Sequence, residues 1–203
     1  MRKITILFYL ILFSVNFSYS QDDDDEFFIP KIKEEKTFKF KKHKYKVVKI
    51  GDDWWFAENF CYAGKDVKEI KNHEGTSLKV YTYEQAKKYC PKGWHIPSDE
   101  EWMKLEKELG MADNRLNTSN RSLNLSPALE DLNFDKNLAN FNTYPTKTSF
   151  AIYWTSTELH QKDYIQTRYF KKPPGDLIKR YVEDKRFGYH KSIPASVRYV
   201  KNK

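Results

Sequence analysis

Cys90-Pro91-Lys92-Gly93-Trp94-His95-Ile96-Pro97-Ser98-Asp99-Glu100-Glu101-Trp102 is the stretch whose reading decides the fold. It joins two short amphipathic helices by a fixed turn. On its N-terminal side, Thr82 and Gln85 have capping-box spacing, and Tyr83, Ala86 and Cys90 share a helical face. Pro91 has no N–H and disfavours helical backbone at the residue before it, so this helix ends near Cys90. On the other side, Ser98 and Glu101 form a second capping box, and Asp99 and Glu100 suit a helix N-terminus. Trp102, Leu105 and Leu109 make an apolar stripe that Gly110 terminates. Trp94 and Trp102 read as core aromatics and His95 as a structural residue of the turn.

Working outward, residues 37–40 and 43–50 alternate enough to predict strands, Gly51-Asp52-Asp53 is a turn, and residues 54–60 form a second aromatic strand completing a hairpin. Residues 64–79 read as a polar loop. Residues 111–149 are rich in Asn, Ser and Thr, with a short turn around Ala128 to Leu132, and a connection of that length is usually functional or disordered. Residues 151–158, 163–170, 176–182 and 195–200 are further strand candidates, and there is no internal repeat.

Residues 1–20 stand apart from this domain. Arg2 and Lys3 precede the apolar run Ile4 to Phe13, and Ser18 and Ser20 sit three and one before a cut ahead of Gln21. That is the pattern of a secretory signal peptide, and the apolar run is short for a membrane span. No cysteine stands at the cut to carry a lipid. The formal net charge of +8 falls to +6 without Arg2 and Lys3. Residues 21–36 read as a charged arm whose Asp22-Asp23-Asp24-Asp25-Glu26 run carries five negative charges, leaving +11 on the rest. Such a body attracts acidic glycans, anionic surfaces or nucleic acid, but the lysines read as scattered, which solubility explains equally well. The domain then occupies residues 37–203.

No reaction is legible. There is no phosphate-cradling glycine loop, no His-Glu-x-x-His and no Gly-x-Ser-x-Gly elbow. His43, His73, His95, His160 and His190 are dispersed without metal-ligand spacing, and no carboxylate pair is singled out by apolar surroundings. Cys90 and His95, five residues apart across a rigid turn, make a poor nucleophile and base. No catalytic residue, metal ligand or cofactor is therefore assigned. The chain has two cysteines, Cys61 and Cys90, which in an exported protein are either bridged or two buried thiols.

Six blocks in order carry a resemblance: residues 45–51, 54–59, 81–86, 90–102, 153–158 and 196–201, the last reading Ser196-Val197-Arg198-Tyr199-Val200-Lys201. Together they resemble the Fibrobacter succinogenes major paralogous domain, a family of secreted or surface proteins of Bacteroidetes-type bacteria. The resemblance implies an α+β, C-type lectin-like fold, with two short helices, small antiparallel sheets, long loops and a last strand returning to the first. Such a fold presents a binding platform but does not dictate sugar or calcium binding. The Glu-Pro-Asn and Gln-Pro-Asp triplets of calcium-dependent sugar binders are absent. Where the family commonly has Ser-Val-Arg-Cys-Val, this chain has Tyr199. The resemblance thus leaves Cys90 without its usual partner and implies a rearranged Cys61–Cys90 disulfide.

These readings lead to an exported protein, secreted, periplasmic or at the cell surface, that is a non-enzymatic binding module for a glycan, protein or surface ligand, with nucleic acid disfavoured and no transmembrane segment after leader removal. A secreted polyanion-binding protein is the alternative. An enzyme related to formylglycine-generating oxidases ranks below both, because no cysteine follows Cys90. Ligand identity, ligand-binding residues and oligomeric state are not legible.

Overall fold

The computed structural model describes residues 32, 34–71, 75–110, 120–122, 149–172, 179–182 and 188–203. The expected leader, most of the expected arm and the expected turn around Ala128 to Leu132 lie outside these residues. Within them the chain is α+β, with mostly antiparallel strands and two helices. The first sheet contains β1 (Glu34–Phe40), β2 (His43–Ile50), β3 (Asp53–Phe56), β6 (Trp94–His95) and β12 (Val200–Lys201), in the order β1-β2-β3-β12-β6. A ribbon pairs β4 (Lys68–Lys71) with β5 (Ser77–Val80). The other sheet runs β11 (Tyr189–His190), β9 (Tyr164–Lys172), β10 (Lys179–Val182) and β7 (Asn120–Ser122), with β8 (Ser149–Glu158) also pairing β9.

Several expectations need correction. β1 begins at Glu34, inside the expected arm, because Glu34 to Lys36 pair with Val47 to Lys49. β3 stops at Phe56, where the strand gives way to a bend. The polar loop at 64–79 contains the β4–β5 ribbon, whose only buried side chains are Leu78 and Val80, too few for clear alternation. The last strand returns to β3 and β6, not to the first strand.

The helices obey their caps. α1 (Tyr83–Lys88) and α2 (Asp99–Glu108) each begin with a complete capping box, Thr82 with Gln85 and Ser98 with Glu101. The first sheet is buried on both faces. Successive side chains of a strand point to opposite sides, so neighbouring apolar residues feed different cores. Val48, Ile50, Trp55 and Val200 pack with Trp102, Leu105 and Leu109 of α2. Tyr45, Val47, Phe56 and Tyr199 pack on the other face with Tyr83 and Ala86 of α1, together with Trp94 and Trp154. Trp102 is fully buried, its ring 5.2 Å from that of Trp55 and 5.6 Å from that of Tyr153.

Residues 195–201 stitch the pieces together. Ala195 bridges Tyr81 beside the ribbon, and Ser196 bridges Tyr153 of β8. The Val197 carbonyl accepts from Phe60 N (2.9 Å), and the Tyr199 carbonyl from Phe56 N (3.0 Å). Val200 then pairs with Trp55 and His95. No helix among the described residues is long and apolar enough to cross a membrane.

Candidate functional site

The Cys90–Trp102 turn is built as framework. Gly93 takes φ +83°, a conformation L side chains rarely adopt, although nothing lies within 4 Å of where its Cβ would be. Trp94 N donates to Pro91 O at 3.1 Å, closing the turn. Trp94 and His95 are not mere turn residues; as β6 they pair with Val200 and Lys201. His95 is held from both sides. Its Nδ1 is 2.6 Å from Asn202 Oδ1, and its Nε2 is 2.9 and 3.0 Å from the two oxygens of Glu101. Glu101 Oε2 also accepts from Ser98 N at 2.8 Å, so one carboxylate caps α2 and clamps the histidine that ties down the C-terminal tail.

Cys90 does not use that histidine. Its Sγ lies 3.1 Å from Trp94 O, and burial pushes its thiol up to about 12. Both nitrogens of His95 are occupied by oxygens of other residues.

Two buried arginines complete the framework. Arg168 on β9 has no exposed side-chain surface and forms ion pairs with Asp99 and, at 4.0 Å, with Glu106. Its Nη2 donates to Asp99 O at 2.8 Å. Burial lowers its pKa to about 10, and the Asp99 charge opposes that shift. Sequence reading missed this cluster, although a signal was present. Glu106 sits four residues after Trp102, on the stripe of Trp102, Leu105 and Leu109. A carboxylate on a buried stripe demands a cationic or hydrogen-bonding partner. Arg198 lies over the Tyr153 ring, its guanidinium carbon 5.8 Å from that ring's centre. Its Nε donates to Asn59 Oδ1 at 3.1 Å and its Nη1 to Phe56 O at 3.4 Å.

The Cys61–Cys90 disulfide does not form in the structure, where both cysteines are free. Each thiol has its own partner. Cys61 Sγ is 3.5 Å from the Tyr45 hydroxyl, and burial raises its pKa, while Cys90 Sγ turns to Trp94 O. Tyr199 supplies a link between the closing strand and α1. Its fully buried hydroxyl donates to Ala86 O at 2.6 Å.

The first hairpin carries a dense run of exposed cations. Seven lysines fall between Lys36 and Lys49, and the register aligns residues that read as scattered in the sequence. Nearer the open sheet, Lys36 and Lys49 reach Glu34 at 3.2 and 3.5 Å, and Lys46 reaches Glu35 at 2.7 Å. At the turn end, Lys39 stands directly opposite Lys44, and Lys41 and Lys42 form the exposed turn. Among the described residues, none of these four lysines has a carboxylate partner. His43 is 3.6 Å from Glu58, whose other oxygen accepts from Lys46 N. No group of three or more His, Cys, Asp or Glu among the described residues is placed to hold a metal ion.

No curated protein and no solved structure matches the chain. The Fibrobacter succinogenes major domain matches residues 48–201, a span that takes in the turn, both buried arginines and the closing strand. With three quarters of its length so matched, the chain belongs to the Fibrobacter succinogenes major domain family.

Proposed function

We propose that this chain is an exported, non-enzymatic binding module with a C-type lectin-like core, its ligand an extracellular glycan or protein. One observation carries the reading: the residues with chemical potential in the family's own blocks are spent on the framework. His95 clamps the tail, Cys90 bonds to a main-chain carbonyl, and Arg168 and Arg198 are buried among carboxylates, amides and carbonyls. Recognition then falls to segments outside those blocks. The meeting of the first and last parts of the domain in one sheet, with two helices flanking it, supports the lectin-like assignment. The leader pattern of residues 1–20 supports export.

A glycan and protein array probed with the leader-free chain tests binding. Reproducible, saturable capture of one ligand class is expected, and a chain that captures none counts against the module. Mass spectrometry of the protein from its host tests export. Gln21 or its cyclised form should be the first residue, and a dominant species beginning at Met1 inside the cell would refute cleavage.

A further inference from the structure

We propose that the turn end of the β1–β2 hairpin is the ligand site and that it binds an acidic polysaccharide through Lys39, Lys41, Lys42 and Lys44. The proposal rests on the binding-module reading and names its ligand class. Lys39 and Lys44 are a directly opposed cross-strand pair, and both are exposed. Like charges in that position oppose sheet formation, so folding alone does not favour them. Lys46 lies two residues along β2 on the same face as Lys44 but is paired with Glu35 at 2.7 Å, so among the described residues the unpartnered row ends at Lys44. Lys41 and Lys42 carry the charge around the turn, with Lys41 in the left-handed region at φ 53°.

A charge placed only to guard a sheet edge does not account for this arrangement. Lysine on an edge strand blocks edge-to-edge pairing, which explains Lys39 on β1. The β2–β3 ladder covers only Val47 to Ile50, so Lys44 too has a free side, but edge protection acts through each lysine singly and does not call for two of them directly opposite each other. Residues 39–44 also lie outside the span matched by the family, so the shared framework does not require them.

The hairpin lacks the features that other polyanions exploit. Insertion into a membrane interface draws on exposed apolar anchors, and binding of single-stranded nucleic acid draws on exposed stacking rings. Phe38 and Phe40 instead turn inward, with ring centres 5.1 Å from Trp94 and 5.7 Å from Phe60. The only exposed large hydrophobic side chain among the described residues is Ile193, in another loop. What remains is a row of flexible ammonium groups suited to the carboxylates or sulfates of a polysaccharide.

The test uses the leader-free chain with alginate as the carboxylated probe, chondroitin sulfate as the sulfated probe, and dextran as the neutral control. Wild-type affinity for one or both acidic polymers should fall at least about tenfold between 50 and 200 mM salt, as released counterions require. K39Q/K44Q should lose at least about tenfold at 50 mM salt and show a shallower salt slope. K68Q/K71Q, which removes the same charge from exposed β4 positions, should stay within about twofold; far-UV circular dichroism checks that both variants fold. Equal losses in the two variants would overturn the proposal, as would tighter binding to single-stranded DNA or phosphatidylserine vesicles than to either polymer. If the array finds a neutral ligand that K39Q/K44Q still binds, the hairpin site falls and the module stands. If wild type captures nothing, both fall.

Discussion

Two cationic segments of the first sheet obey opposite rules. Arg198, beside β12, has no exposed surface and donates to Asn59 Oδ1 and Phe56 O. Lys39 and Lys44 face each other across β1 and β2 in solvent, with no carboxylate partner among the described residues. A buried cation without partners would cost several kcal/mol, so a fold retains one only where neighbours satisfy it. An exposed like-charged pair costs much less and can persist if something outside the fold favours it. Satisfied charge thus marks framework, and conflicted charge marks a surface selected for another reason. Substitutions in the first segment should cost stability, and those in the second should raise it.

The largest effects belong to the framework. Trp102→Ala should cost about 3–5 kcal/mol, because the indole fills the space between Trp55 and Tyr153. Arg168→Met should cost about 3–5 kcal/mol, because it breaks a buried ion-pair cluster by removing the guanidinium that faces Asp99 and nearly buried Glu106. Urea denaturation monitored by tryptophan fluorescence and circular dichroism reads both. A loss below about 1 kcal/mol in either variant would break the framework half of the comparison.

An intermediate effect is expected where Tyr199 meets α1. Tyr199→Phe removes the hydroxyl bonded to Ala86 O and should cost about 1–3 kcal/mol, the range for stranding a buried polar group. The same neighbourhood settles the cysteines. Titration in denaturant without reductant should count two thiols per chain, and the native protein should alkylate slowly at Cys90, whose thiol burial holds near 12. A count of zero would establish a bridge worth roughly 3–4 kcal/mol and would overturn the free-thiol arrangement.

Much of the framework was legible because its local signals agree. The capping boxes at Thr82 and Ser98 set both helix starts, and the partial alternation of residues 43–50 marked β2, although burial of the sheet on both faces was not read from it. What escaped was decided by long-range pairing. β6 is two residues within a turn, and only Val200 and Lys201, more than a hundred positions later, make it a strand. The β4–β5 ribbon is mostly polar, and its pairing rests on register rather than burial. The partnership of Glu106 with Arg168 crosses from α2 to β9, so the stripe position of Glu106 could signal a need but not its answer. The lysines of the hairpin were visible one by one. Their opposition emerged only when the register set Lys39 against Lys44.

The smallest expected effect has the opposite sign and tests the comparison most directly. Lys39→Glu replaces a like-charged cross-strand pair with an opposite-charged one at the same register position. It should raise stability by about 0.2–1 kcal/mol at low ionic strength, the measured range for such pairs. The gain should fade toward 1 M salt, where screening acts within about 3 Å. The shift should appear in the urea midpoint with an unchanged m value, because neither the surface exposed on unfolding nor the core is altered. Binding of alginate or chondroitin sulfate should weaken in the same variant, so stability and affinity move apart. If Lys39→Glu destabilises the chain at low salt, Lys39 contributes to the fold through its present contacts. The contrast between satisfied framework charge and conflicted surface charge would then fail at its most exposed member.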